Sequence, residues 1–305
     1  MDGTLRAILL SWNWDPLILV GLLVSGLLYG WAYWLSLRQP RRHARVYWAP
    51  RHAALFYGGL ATIFVALISP IDPLGELVFW GHMTQHILLI MIAPPLLLLG
   101  VPLGPALHVI PASTRRPLVR YLAGSGPPRR IARMLTSPLG AFVIFNVTLW
   151  TWHIPSVYDA ALRHAPLHAL EHLSMLAAGV LFWWPIVEPV PVWKPGQGFW
   201  RVAYPVLASI PTGIMGVWIT EAGATPLYPF YAAMPRLWGV SVTDDQQLGG
   251  TIMLTTDEFI VFVACAVLFF RFMAEAERRQ ALAETLAAHH PEIASETPTD
   301  LSPQP

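Results

Sequence analysis

Runs of about twenty apolar residues recur along this chain, and no other feature constrains its fold as tightly. A bilayer core about 30 Å thick takes about 20 residues of helix to cross. Backbone in lipid has no water to bond, so such runs fold as helices that satisfy their own N–H and C=O groups. Seven runs qualify, at residues 16–36, 52–70, 82–100, 136–153, 166–187, 200–220 and 251–272. The fourth has the shortest apolar core, and the fifth carries His168, Glu171 and His172 in its first turns. Charged residues make up only 12% of the 305, about half the share of a soluble domain. The expected fold class is therefore all-α: a polytopic membrane protein with seven transmembrane helices. Residues 1–280 are expected to form the membrane domain, and the polar stretch 281–305 a disordered tail. The one cysteine, Cys265, excludes an intrachain disulfide and any CxxC motif, so metal chemistry must use His, Met and carboxylates. The first residues, MDGTLRAILLSWNWDP, lack a basic n-region and a small-residue cleavage site, so no cleaved signal peptide is expected.

Lys and Arg set the expected orientation. Arginines 38, 41, 42, 45 and 51 lie between runs 1 and 2, and arginines 115, 116, 120, 129, 130 and 133 between runs 3 and 4. Lys194 and Arg201 flank the next loop on that side, and Arg271, Arg278 and Arg279 follow run 7. Sixteen of the 19 basic residues thus share one side, leaving Arg6, Arg163 and Arg236 for the other. This asymmetry predicts an outer N-terminus and a cytoplasmic C-terminus. A net charge of +1 carries no nucleic-acid signature. Most tryptophans fall near run ends, as an interfacial belt requires.

The same topology sorts the histidines. His82 and His86 open run 3, His153 ends run 4, and His164, His168 and His172 enter run 5, all at the outer side. Asp244 and Asp245 precede run 7 on that side, whereas His43, His52 and His108 fall towards the basic side. Residues four apart share a helix face, so His82 pairs with His86 and His168 with His172. Ionisable residues at such depth face the bundle interior and carry function. Two such faces plus His153 can surround one metal ion. Imidazole suits Cu, Zn, Fe and Ni, and thioether sulfur from Met83 or Met175 leans the set towards Cu(I). Glu171 and Asp245 are placed to accept ring N–H groups and hold the imidazoles. The plainer readings are interfacial hydrogen bonding for His164 and His108, ordinary packing for each methionine, and a small apolar filler for Cys265. Pro94-Pro95 predicts a kink in run 3 that frees carbonyls near Ile90 and Met91.

The strings HMTQH with APPLLLLG, then WHIPSVYDAAL, then LHALEHL with FWWP, then DDQQLGG, follow in this order on a seven-span frame. Over about residues 50–272 they resemble the CtaG-type polytopic cytochrome c oxidase assembly proteins. The resemblance implies a factor that is not an enzyme, sits in the bacterial inner membrane, and serves the assembly of haem-copper oxidase. It implies partnership with oxidase subunits and periplasmic copper chaperones, and the handling of copper. It also implies a site made of His82, Gln85, His86, His153, Tyr158, His168, Glu171, His172, Asp245 and Gln246. Three rival readings stay open. One is a haem-binding protein, with His86 and His172 as axial ligands. Another is a zinc or di-iron membrane enzyme, disfavoured by the lack of HExxH and the few carboxylates. The third is a scaffold whose histidines only bond between helices.

Overall fold

The computed structural model describes residues 3–37, 49–102, 110–123, 126–189, 200–223 and 225–289. Arginines 38–45, His43, His108, Lys194 and His290 lie outside them, as do the side chains of Arg201 and His289. Among the described residues there is no strand. The helices are α1 (Gly3–Leu10), α2 (Pro16–Leu37), α3 (Pro50–Leu67), α4 (Ile71–Leu77) and α5 (Phe79–Leu99). They continue as α6 (Ala112–Ala123), α7 (Pro127–Thr136), α8 (Pro138–Trp152), α9 (Pro155–Arg163) and α10 (Ala165–Val187). Helices α11 (Trp200–Thr220), α12 (Pro229–Ala232) and α13 (Val242–His289) complete the chain.

Proline sets many of these boundaries. Helices α3, α7, α8, α9, α10 and α12 each have Pro in their first two positions, where the missing N–H costs nothing. Six helices are long and apolar enough to cross a membrane, and a seventh span results if α7 and α8 count as one. That pair joins the short fourth run, which is α8, to the basic helix before it, with a bend of 66°. Its hinge is Ser137, extended because Pro138 follows it. The Ser137 hydroxyl donates to the Met134 carbonyl at 2.7 Å and accepts the Gly140 N–H at 2.9 Å, which caps α8.

Large apolar side chains stand exposed along α2, α11 and α13, among them Leu17, Leu23, Ile214, Phe262 and Phe270. Such faces suit lipid contact. The buried core instead joins α5, α8, α10, α11 and α13 through Phe79, Phe145, Leu149, Phe182, Met215 and Ile219. Helix α5 sits centrally, packed by α3, α4, α10 and α13.

The predicted kink is present. Residues Leu88–Ile92 widen into a π-turn directly before Pro94-Pro95. Pro94 has no N–H to return to the Ile90 carbonyl, so that carbonyl accepts the Trp183 indole N–H at 3.1 Å.

One boundary differs from the sequence reading. The disordered tail expected from 281 is helical as far as His289, and residues 290–305 lie outside the described part. The reason is local. AEAERRQALAETLAAH is built from strong helix formers, with an Arg279–Glu275 ion pair and a Gln280–Glu284 hydrogen bond one turn apart. At 48 residues, α13 is about 72 Å long, well over a bilayer core. Residues 271–286 are all exposed.

Candidate metal centre

The site begins at the break between α4 and α5. Val78 is extended there, so α5 starts afresh at Phe79 with its first N–H groups unpaired. Asp245, from the first turn of α13, accepts both: Phe79 N–H at 2.9 Å and Trp80 N–H at 3.0 Å. A carboxylate at a helix N-terminus gains from hydrogen bonding and from the helix dipole. Gly75 lets α4 lie close alongside, since a Cβ there would come within 3.2 Å of the His82 Cα. The hairpin thus fixes the depth of His82.

Five imidazoles meet at this end of the bundle. His82 and His86 project from one face of α5, His168 and His172 from one face of α10, and His153 caps the C-terminus of α8. Ring centroids lie 4.2 Å apart for His82–His86 and for His168–His172, and 5.7 Å for His86–His172 across the helices. His153 stands 6.1 Å from His86. One nitrogen from each of His82, His86 and His172 falls within a 4.8 Å group, and His82, His168 and Glu171 form a second such group.

Hydrogen bonds fix which nitrogens face inward. The Tyr231 hydroxyl donates to the Gly75 carbonyl at 2.8 Å, so its oxygen is the acceptor for His82 Nδ1–H at 3.2 Å. That leaves the His82 Nε2 lone pair towards the cluster, where it accepts the His86 Nε2–H at 2.7 Å. His153 Nδ1–H donates to the Leu149 carbonyl at 2.8 Å, which likewise leaves its Nε2 bare. This is how a ligating histidine is ordinarily held. Tyr158 lies fully buried 5.2 Å from the His82 ring, its hydroxyl 3.4 Å from that of Tyr231. Burial raises both phenols well above the usual tyrosine range, so both keep their O–H. Tyr228 adds a bond to the His153 carbonyl at 3.2 Å and stacks on Phe79. Phe79, Tyr158, Tyr228 and Tyr231 together form an aromatic cover.

Among the described residues Glu171 is the only carboxylate in the cluster, fully buried, with Oε1 3.6 Å from His86 Nε2 and 3.8 Å from His82 Nε2. Neither of its oxygens has a hydrogen-bond donor, and His86 Nδ1, His153 Nε2, His168 Nε2 and His172 Nε2 are also unpartnered. Each buried polar atom left bare costs about 1–3 kcal/mol. So many bare lone pairs around one carboxylate are the chemistry of a cation site: imidazole nitrogen and one oxygen, the donor set of Cu, Zn, Fe or Ni.

Not every residue named from sequence joins this cluster. Met83 lies on another face of α5, where a Cβ at Gly249 would come 3.2 Å from its Cγ. Met175 is buried in the apolar core and His164 is exposed. Gln85 turns away and donates to the Ala66 carbonyl at 2.9 Å and to Asp72 at 2.7 Å. Asp245 caps α5 and does not bond an imidazole. Gln246 accepts the Leu227 N–H at 2.7 Å and donates to the Ile219 carbonyl at 3.1 Å, holding the loop before α13. Sequence reasoning missed Tyr231, Tyr228 and the buried Asp72, which also accepts from Asn13 at 2.7 Å. The sole signal for the tyrosines was two tyrosines three apart in the loop before α13, LYPFY.

A bundle of membrane-crossing helices with five histidines and a glutamate gathered at one end defines a polytopic membrane protein with a built imidazole–carboxylate cluster. The family follows from comparison with known proteins. The chain belongs to the cytochrome c oxidase caa3 assembly factor family, whose model matches residues 27–275. Uncharacterized proteins of Mycobacterium bovis and Mycobacterium tuberculosis are each 27% identical over 285 residues, covering 92% of this chain and 42% of theirs. One of Mycobacterium leprae is 24% identical over 275 residues, covering 88% of this chain and 40% of its own. The chain thus spans less than half the length of these relatives. No solved structure matches it.

Proposed function

We propose that this assembly factor binds copper, as Cu(I), in the histidine cluster and passes it to an oxidase subunit. The observation that supports this most is the approach of His82, His86 and His172 nitrogens to within 4.8 Å, buried, with His153 beside them. Trigonal or tetrahedral imidazole ligation suits a d-block ion. A porphyrin between two of these helices would need a slot that mutually contacting imidazoles do not leave. Met83, packed against α13, is assigned to the core and not to the ion. No step of catalysis is assigned to the protein. With the basic loops cytoplasmic, the cluster opens towards the periplasm of the inner membrane, where periplasmic copper chaperones and an oxidase subunit can meet it. The loops before α5, α10 and α13 are the surfaces for that exchange.

The test is metal content. The protein is purified in detergent from copper-replete cells, beside a variant with His86→Ala and His172→Ala, and both are measured by mass spectrometry and absorption. Stoichiometric copper in the wild type and its loss in the variant are expected. A Soret band would replace this reading with haem, and no metal in the wild type would leave only a scaffold.

A further inference from the structure

We infer that the cluster holds two metal ions, not one, with Glu171 between them. This rests on the copper reading above and extends it. The argument is a count of donors. His82 Nδ1 is committed to Tyr231, so His82 offers a single lone pair, yet it belongs to both 4.8 Å groups. It can serve one ion at a time. An ion held by His82, His86 and His172 can also take Glu171 Oε1, which lies 3.8 and 3.6 Å from the His82 and His86 nitrogens, but it leaves His168 Nε2, His153 Nε2 and Glu171 Oε2 buried and bare.

Dividing the donors removes that imbalance. His82, His168 and Glu171 form one set of three. His86 and His172 remain for the other, their ring centroids 5.7 Å apart, with His153 the next imidazole at 6.1 Å from His86. Glu171 Oε1 lies near both, 3.8 Å from His82 Nε2 and 3.6 Å from His86 Nε2, the position of a bridging carboxylate. Its negative charge also offsets the repulsion of two cations. The sets differ in kind. Three imidazoles accept Cu(I), whereas two imidazoles and a carboxylate are harder and favour a divalent ion, Cu(II) or Zn(II).

The experiment counts Cu(II), which both sets accept. Full-length protein in detergent is dialysed against glycine-buffered Cu(II), copper per chain is measured by mass spectrometry, and the electron paramagnetic resonance signal is integrated against it. Two ions per chain with much of the signal lost are expected, because ions about 3.5–4 Å apart, the spacing of bridged pairs, couple magnetically. His168→Gln, at a partly buried position, should hold one ion with full signal, and so should His172→Gln. One ion, or none, in the wild type overturns the two-ion proposal, while the single-ion Cu(I) reading stands or falls on the metal content of protein purified from copper-replete cells. Two ions with the full signal of uncoupled copper would place the second elsewhere and also overturn it. The wild-type count needs no variant to fold.

Discussion

Tyr231 shows how much one side chain decides. Its hydroxyl spends its proton on the Gly75 carbonyl and so makes His82 donate from Nδ1. Tyr231→Phe removes that acceptor and leaves a buried carbonyl bare. The expected cost is about 1–3 kcal/mol, read as a lower Tm in detergent. Loss of such an outer hydrogen bond also costs about 10–100-fold in metal affinity, measured by Cu(I) competition with a chromogenic chelator. Unchanged affinity would mean that the His82 tautomer is set by something else. The histidines were legible in the sequence because i,i+4 spacing puts a pair on one helix face whatever surrounds it. Tyr231 was not, since nothing in LYPFY marks which loop hydroxyl becomes buried. Asp245 was legible by location alone: topology put it at the correct end, but only tertiary packing shows that it caps a helix.

Elements must approach closely for the two histidine faces to meet. Helix α10 lies on α5 at Gly179, where a Cβ would come 2.8 Å from the Ile90 carbonyl and 3.0 Å from Pro94 Cγ. Gly179→Ala should push the helices apart and destabilise by about 1–3 kcal/mol, with copper affinity falling alongside. Gly58→Ala, whose Cβ would sit 3.9 Å from Leu96, is the tolerated control. Equal melting temperatures for the two variants would show that α5 and α10 are not locked at this crossing. The cap makes a separate prediction. Asp245→Ala strips two acceptors from the start of α5 and should cost about 1–2 kcal/mol, seen as faster amide exchange at Phe79 and Trp80. The kink in α5 could be read from Pro94-Pro95, because a missing N–H is a property of the residue itself. The run of α13 past 281 could not be read from polarity, since a helix leaving the membrane is polar all round and resembles an unfolded tail in composition.

For the molecule as a whole, six of the seven expected spans followed directly from apolar run length, and the seventh is reached only if α7 and α8 count as one. The bend of 66° between α7 and α8 did not, because apolar content says nothing about direction. Orientation has a direct test. In a Cys265→Ser background, Glu221→Cys at the histidine end should react with an impermeant maleimide in intact spheroplasts. Arg130→Cys, at the other end, should react only after lysis. The reverse pattern would turn the cluster towards the cytoplasm and remove the proposed delivery route. Both positions are exposed, so labelling reports sidedness and not burial.

The loop that carries Tyr231 is pinned at three places: Leu227 to Gln246, Phe230 to Asp159, and Arg236 to the Tyr231 carbonyl. The residue that roofs the cluster is therefore also the one that aims its first imidazole. Swinging the roof aside to admit or release cargo necessarily unlatches His82, so that ring cannot be both aimed and accessible. On the proposed copper reading, exchange at such a centre waits until something lifts the loop, and the natural timer for delivery is whatever docks there.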